Sequence, residues 1–509
     1  MSVKEITYFF FKVLTEVFYD FAENTKINGM HYLKRGVTTG ILRILWAIWM
    51  ITMLCFGAYI AILLWDSFVY SPTRVTSDSV FVKEVPFPAV TICHPQSIMD
   101  YQVERFLKEI QIPSNTTKEE VGKKLVVLSM FTEYQWDEPV EADLNLIHHV
   151  LTLNNYTVER AIDYLGTTCE NFLQKCFWAQ TEFPCFGTKN QTSKLQWKSS
   201  FSFLGSCCSI NYYPDSREDL FKTESIGILG GLTILLTGAP QISDGKSGAL
   251  YSDGFVLLAH HPNDFAVQSN YMTLLEQGTE SFVEVFGSVL TCTNEVLSLP
   301  IPQRNCLLPS DLSKSYYRQP SCSLGCVRNK IYEFCGCHPY QMPRPFDEPN
   351  AEYVRDCITT DAMCIVKNMM TFKTLSCPEC LPSCDDITYK TRSFKVDLAL
   401  HNRSFQSKYD HITDPQQDIL VNVYWANERV PVNRKIIVVN WVQNLANLGG
   451  CFNLVFGISV LSLIEILYAL TVRFVFHFRA QKKLKKAPII NVEPKEKTKI
   501  KERYGNLLK

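Results

Sequence analysis

The sequence predicts a membrane protein: two transmembrane helices flanking a large, disulfide-rich, mixed α/β domain with a β-rich centre. Three observations carry this. Ile44 to Trp65 is an uncharged run of about one bilayer thickness. Leu445 to Val472 is a second apolar stretch, charged only at Glu465. Nineteen cysteines are present, and setting aside Cys55 and Cys451 in the two spans leaves seventeen between Cys93 and Cys384, a density that reads as a disulfide scaffold in an oxidising compartment.

Residues 1–43 form the segment before the first span. Ile6 to Phe21 is strongly apolar and aromatic, and two readings stay open: a re-entrant or interfacial amphipathic element, or one packed beneath the spans. The first transmembrane helix is placed at 44–66, with Trp46, Trp49, Tyr59 and Trp65 as interfacial anchors. It begins too late and runs too long for a cleaved secretory signal. Lys26, Lys34, Arg35 and Arg43 precede it, and Arg473, Arg479, Lys482, Lys483, Lys485 and Lys486 follow the second span. Positive flanks stay cytoplasmic, so both termini are expected inside and residues 67–444 outside a plasma-membrane protein.

Four glycosylation sequons, at Asn115, Asn155, Asn190 and Asn402, all fall within 67–444. Strand patterns run over Phe87 to Cys93, Ile226 to Leu236, Gly254 to His260 and Ser281 to Thr291. Tyr101 to Ile110, Lys118 to Ser129 and Ser321 to Phe334 read as helices. Eleven cysteines crowd between Cys292 and Cys384. Cys377 and Cys380 also fit a zinc or dithiol motif, but the outside location and the lack of matching histidines favour bridges.

The second span, 445–472, is not built like an anchor. Its first half carries Asn447, Gly449, Gly450, Cys451 and Asn453, which a helix facing only lipid has no use for. An intramembrane acid is expensive and normally faces a bundle interior or a water-filled path, so Glu465 points to a pore wall. Gly457, Ile458 and Ser459 lie just before it. Glycine lets backbones approach closely or lets the helix open and free carbonyls, while Ser459 offers a hydroxyl. The plainer reading is that Gly449, Gly450, Gly457 and Ser459 only permit tight helix packing. The basic tail, 473–509, lies against anionic lipid or is solvated.

Function classes can be excluded. A formal net charge of −1 argues against a nucleic-acid partner. His94, His148, His149, His260 and His261 have no metal-ligand or triad context, so no enzyme, cofactor or metal is expected. His148-His149 and His260-His261 remain candidate pH sensors, against the simpler reading of paired histidines in exposed loops.

Phe87-Pro-Ala-Val-Thr-Ile-Cys93 after the first span, the cysteine cluster, Leu448-Gly-Gly450 and Gly457-Ile-Ser459 together resemble the epithelial sodium channel/degenerin family, which includes the acid-sensing channels. Gln303-Arg-Asn-Cys306, Cys384-Asp-Asp-Ile-Thr-Tyr389 and the Cys207-Cys208 doublet are most similar to invertebrate, particularly arthropod pickpocket-type, subunits. The resemblance implies a trimer of identical or related subunits, preferring sodium ions, gated through the ectodomain by a ligand or stimulus it does not identify, and blocked by amiloride. It further implies the pairs Cys93 with Cys207, Cys169 with Cys176, Cys306 with Cys384, Cys322 with Cys380, Cys326 with Cys377, Cys335 with Cys364, and Cys337 with Cys357. A Cys185–Cys208 bridge is added as a guess, leaving Cys292 free or in an unexpected pair.

The same resemblance makes Gly457, Ile458 and Ser459 a selectivity filter and Glu465 an inner cation ring. It places Ala446 where bulk holds such channels open, and Asn453 at the amiloride contact, where relatives carry Gly or Ser. Asn447 stands where acid-sensing channels have Asp. Asn28-Gly29 replaces the family's His-Gly pair, a gating motif before the first span. Two rival readings are an ATP-gated trimeric channel, for which no triphosphate-binding cluster of lysines and arginines is found, and a non-conducting two-span lipid or scavenger receptor, which has no use for Gly457-Ile-Ser459 and Glu465.

Overall fold

The protein is described from a computed structural model covering residues 3–33, 39–70, 72–81, 84–131, 141–187, 195–214, 221–238, 254–267, 271–312, 317–343, 354–398 and 407–486. Two units divide the chain: Met1–Thr73 with Ile437–Lys509, and Arg74–Ile436.

In the first unit the helix Gly40–Tyr70 has 31 residues. At 1.5 Å per residue it is about 46 Å long, longer than a bilayer's hydrocarbon core. Ile44, Trp49, Phe56 and Ile62 are exposed along it, and Gly57 is its one buried residue among those described. So large an apolar surface requires lipid or another chain. The sequence places the second span at 445–472 without a fixed break. The structure makes it a helix Trp441–Phe456, an opening at 457–459, a second helix Val460–Tyr468, a π-helical turn Ala469–Arg473 and a last helix Phe474–Lys486. Gly57 lies where the Phe452 and Phe456 rings pack, at 3.9 and 3.8 Å from where a Cβ would stand.

The apolar N-terminal run is the helix Val3–Asn24. Phe9, Val13 and Val17, spaced four apart, bury themselves against Phe474 and Phe478 of the last helix. Tyr8, Phe11 and Phe18 stay exposed.

The second unit is built around the strand Thr279–Cys292. It pairs antiparallel with Asp386–Asp397 and parallel with both Ile419–Trp425 and Arg429–Ile437. Leu232–Leu236 and Leu173–Trp178 extend the sheet beyond Ile419–Trp425. Alternation sends Val283, Val285 and Gly287 inward. A Cβ at Gly287 would fall 2.3 Å from the Trp425 ring, so glycine is needed there to admit the indole.

A five-stranded sheet runs in the order Tyr271–Leu275, Phe255–His260, Ala89–Cys93, Gly205–Ile210, Lys198–Ser202. Ile92, Cys208, Phe255 and Leu257 from it share one core with Ile234, Val283, Val421 and Trp425. A separate helical core gathers Phe106, Leu125, Leu144, Ile147, Ile162, Ile331 and Ile365. The strand expected over Ile226 to Leu236 is shorter, because Gly227 adopts φ 79° and residues 228–230 make a 3₁₀ turn first.

Eight disulfides are present among the described residues. Cys93 joins Cys207, Cys306 joins Cys384, Cys322 joins Cys380, Cys326 joins Cys377, Cys335 joins Cys364, and Cys337 joins Cys357. With Cys377 and Cys380 both bonded, neither is a thiolate ligand or a dithiol. Two expectations are corrected. Cys169 bonds Cys208, not Cys176, and Cys176 bonds Cys185, not leaving Cys185 for Cys208. The doublet explains the first: neighbours on a strand point to opposite faces, so Cys207 meets Cys93 directly across the ladder while Cys208 enters the main core beside Cys169. The second follows from a hairpin that folds Thr181–Phe183 back on Leu173–Trp178, with Cys176 facing Phe183 and Cys185 two residues on. Cys292 carries a free thiol.

Candidate functional site

The opening in the second span is set by its own residues. Gly457 sits at φ 64°, ψ 24°, the left-handed conformation that ends helices and that glycine takes without strain. Its N–H donates to the Asn453 carbonyl at 2.8 Å. Ser459 is extended and starts the next helix as its cap, its Oγ accepting from the Ser462 N–H at 3.4 Å while its own N–H donates to Ser462 Oγ at 3.3 Å. Gly457-Ile458-Ser459 thus separates a carbonyl-rich helix C-terminus from a helix N-terminus. A helix C-terminus carries partial negative charge, and its last carbonyls have no intrahelical donors, which suits a cation.

One of those carbonyls is taken from far away in sequence. The Asn28 backbone N–H donates to the Phe456 carbonyl at 2.9 Å. A Cβ on Gly457 would stand 2.7 Å from Asn28 Nδ2, so position 457 is restricted by space as well as by φ. Gly29, at φ 90°, accepts a hydrogen bond from Trp46 Nε1 at 2.7 Å, and a Cβ there would meet Met50 Sδ at 2.8 Å. The Asn28-Gly29 turn is therefore pinned both to the helix Gly40–Tyr70 and to the end of Trp441–Phe456.

Ala446, Gly449, Gly450 and Asn453 fall at i, i+3, i+4 and i+7 of Trp441–Phe456 and form one exposed stripe of small and polar groups. Among the described residues, no atom outside the helix lies within 4 Å of where a Cβ would stand on Gly449 or Gly450. Asn447 is half-buried and accepts from Gln443 Nε2 at 3.1 Å. Glu465 is also half-buried, and its Oε2 accepts from Thr25 Oγ1 at 3.4 Å. Further along, Asp20 receives Arg473 at 2.7 Å and lies 3.5 Å from His477 Nε2, and Gln481 donates to Glu16 at 2.5 Å. These contacts join the N-terminal helix to the last one.

Thr25, Asp20 and Ser462 were not singled out by the sequence, and Trp46 was read only as an interfacial anchor, not as the donor to Gly29. Only Ser462, three residues after Ser459, follows a readable capping spacing; the others are long-range partners with no local signal.

The histidine pair at 260–261 does not lie in an exposed loop. Both rings are buried. Burial lowers His260 to about 4, against backbone hydrogen bonds that raise it. Burial, the Arg318 charge and His260 lower His261 to about 2. Neither titrates near neutrality. His94 is likewise pushed down to about 4 by burial. His148 and His149 ride on the helix Glu141–Leu153, half-buried and exposed respectively. Of the sequons, Asn115 and Asn155 are exposed; Asn190 and Asn402 lie outside the described residues, as do 487–509 of the basic tail.

The family model for the amiloride-sensitive sodium channel matches residues 21–469. Sodium channel protein Nach of Drosophila ananassae is 26% identical over 481 residues, covering 91% of this chain and 89% of that protein. Pickpocket protein 28 of Drosophila melanogaster is 20% identical and covers 89% of this chain and 78% of its own length. The human bile acid-sensitive ion channel is 22% identical, with coverages of 90% and 86%.

Proposed function

This chain belongs to the amiloride-sensitive sodium channel family, and we propose that it is a subunit of a trimeric, sodium-preferring cation channel. The same proposal puts it in the plasma membrane with both termini cytosolic, gated by a stimulus acting on its ectodomain and blocked by amiloride. In it, Gly457, Ile458 and Ser459 form the filter, Glu465 concentrates cations at the inner mouth, Ala446 to Asn453 lines the outer pore, and Asn28-Gly29 braces the opening from the cytosolic side.

The observation that carries this reading is the opened span: a left-handed Gly457 between two helices, with the Asn28 N–H on the Phe456 carbonyl. A helix that merely anchors a domain has no reason to interrupt its hydrogen bonds inside lipid, where each unsatisfied group is costly. Irregular backbone is tolerated where it lines water or is covered by protein, and a ring of carbonyls and hydroxyls is what ion selection needs. The exposed stripe Ala446, Gly449, Gly450, Asn453 supports assembly, since small residues let helices of several copies approach. Relatives named as sodium channel proteins support sodium as the permeant ion. Membership of a channel family displaces both the ATP-gated and the scavenger-receptor readings.

Expression in oocytes with whole-cell recording tests the proposal, applying acid, peptides and amiloride in turn. A cation current that is absent from uninjected cells and reduced by amiloride is the expected result. Surface-expressed protein that adds no cation conductance, alone or with related subunits, would overturn it.

A further inference from the structure

The strand Thr279–Cys292 ends in a free, half-buried thiol. Its Sγ lies 3.9 Å from Cys306 Sγ, which is bonded to Cys384. All three sulfurs fall within 4.8 Å of one another. This is more than a stray cysteine beside a bridge. The antiparallel ladder pairs Leu290 with Asp386, and carrying that register two residues further sets Cys292 across from Cys384. Cys306 is brought in by main-chain contacts: the Cys384 N–H donates to Leu307 O at 3.0 Å, and Leu307 bridges Ser383. The backbone thus holds the three positions together whichever two sulfurs are bonded.

We propose that Cys292, Cys306 and Cys384 form an internal thiol–disulfide exchange centre, in which the bridge shifts from Cys306–Cys384 to Cys292–Cys306. The Cys292 thiolate attacks Cys306 Sγ, forming the new S–S bond as the old one breaks. Cys384 leaves as a thiolate and takes up the proton that Cys292 gave to water. No electrons enter or leave, so no oxidant or reductant is needed.

The surroundings set the pace. Burial raises the Cys292 thiol above its ordinary range; Lys435 and Arg304 pull it back down, and Asp385 adds to the rise. Lys435 stands opposite Cys292 on the parallel strand Arg429–Ile437 and donates to the Arg304 carbonyl at 2.5 Å. The thiol is mostly protonated at neutral pH, and exchange accelerates about tenfold per pH unit until the thiolate predominates. The exchange moves a covalent tie from the start of Asp386–Asp397 to the end of Thr279–Cys292, the strand paired with Arg429–Ile437. Arg429–Ile437 is followed four residues on by the helix Trp441–Phe456.

The test is differential alkylation of the full-length, surface-expressed protein. It is incubated at pH 7 to 9, quenched with acid, labelled under non-reducing denaturing conditions and mapped by mass spectrometry. Trypsin cuts at Arg304 and so separates the Cys292 and Cys306 peptides. Expected is a Cys292–Cys306 linked peptide with label on Cys384, its rate of appearance rising about tenfold per pH unit, and no label on Cys384 in Cys292→Ser. In Cys384→Ser, the stranded Cys306 should be recovered bonded to Cys292. Cys384 unlabelled at every pH in the parent protein, Cys384 labelled equally in Cys292→Ser, or separately labelled Cys292 and Cys306 in Cys384→Ser would each overturn the proposal.

Discussion

Replacing Gly457 by alanine tests the opened span most directly. At φ 64° an L-residue costs about 1–2 kcal/mol. The added Cβ would lie 2.7 Å from Asn28 Nδ2, so the Asn28 side chain must move off its position, at about 0.5–1.5 kcal/mol. Together the opening is disfavoured by about 1.5–3.5 kcal/mol in each subunit, or roughly 10- to 400-fold in population. The expected result for Gly457→Ala is surface protein at normal levels with sodium-over-potassium preference largely lost, read from reversal potentials under sodium and potassium exchange alongside surface biotinylation. Asn28→Ala removes the side chain that clashes and leaves the main-chain bond to Phe456, so the double variant should recover the smaller share of the loss but not the φ share. A Gly457→Ala channel with parental current and reversal potential would refute the assignment of the break to the filter.

Glu465→Ala should weaken sodium preference, whereas Thr25→Val, which loses only the 3.4 Å contact, should leave reversal potentials unchanged; unchanged potentials in Glu465→Ala would count against the inner ring. Ala446→Trp places bulk on an exposed stripe beside Gly449 and Gly450 and should give constitutive current, measured as amiloride-sensitive resting conductance. His260 is held neutral, with its pKa lowered from 6.5 to about 4, so the unfolded chain binds the proton first as pH falls. Its contribution is present above pH 6.5 and lost progressively between 6.5 and 4, about 3 kcal/mol in all; thermal unfolding of the solubilised protein should show this slope, and His260→Gln should flatten it. Cys169→Ser should leave Cys208 alkylatable and Cys176 protected, and label on Cys176 would restore the pairing that the family resemblance implies.

What the sequence made legible was local chemistry with a short period. Glycines and asparagines within an apolar run marked Leu445 to Val472 as unlike an anchor, while the Ser459–Ser462 cap that restarts the helix came only with the structure, although its spacing is local. Alternation located the strand Thr279–Cys292 to within two residues. What stayed hidden depends on distance along the chain. The opening at 457–459 takes a donor from Asn28, and Glu465 takes one from Thr25, and no spacing rule links residues so far apart. The two cysteine pairs that failed, Cys169–Cys176 and Cys185–Cys208, did so for a related reason: adjacent Cys207 and Cys208 look interchangeable in sequence, and only the two faces of a strand separate their partners. His260 and His261 read as an exposed pair because the rings they meet, Tyr212 and Tyr389, and the Arg318 charge beside His261 lie elsewhere in the sequence.

The missing imidazole at position 28 has a structural answer. The bond that caps the opened span is made by a backbone N–H, which every residue except proline supplies. Asparagine in place of histidine therefore keeps the contact with Phe456, while its short side chain fills the space where a Cβ at 457 would stand. The glycine is the less replaceable partner: at φ 90°, with Met50 Sδ 2.8 Å from where its Cβ would lie, Gly29 admits no side chain without moving the turn. Asn28→Ala should then conduct nearly as the parent does. Asn28→Pro removes the donor and leaves the Phe456 carbonyl unpaired, a loss of about 1–3 kcal/mol if no water replaces it. Equal selectivity in Asn28→Pro and Asn28→Ala, at equal surface density, would mean that the N-terminal segment does not hold the break open.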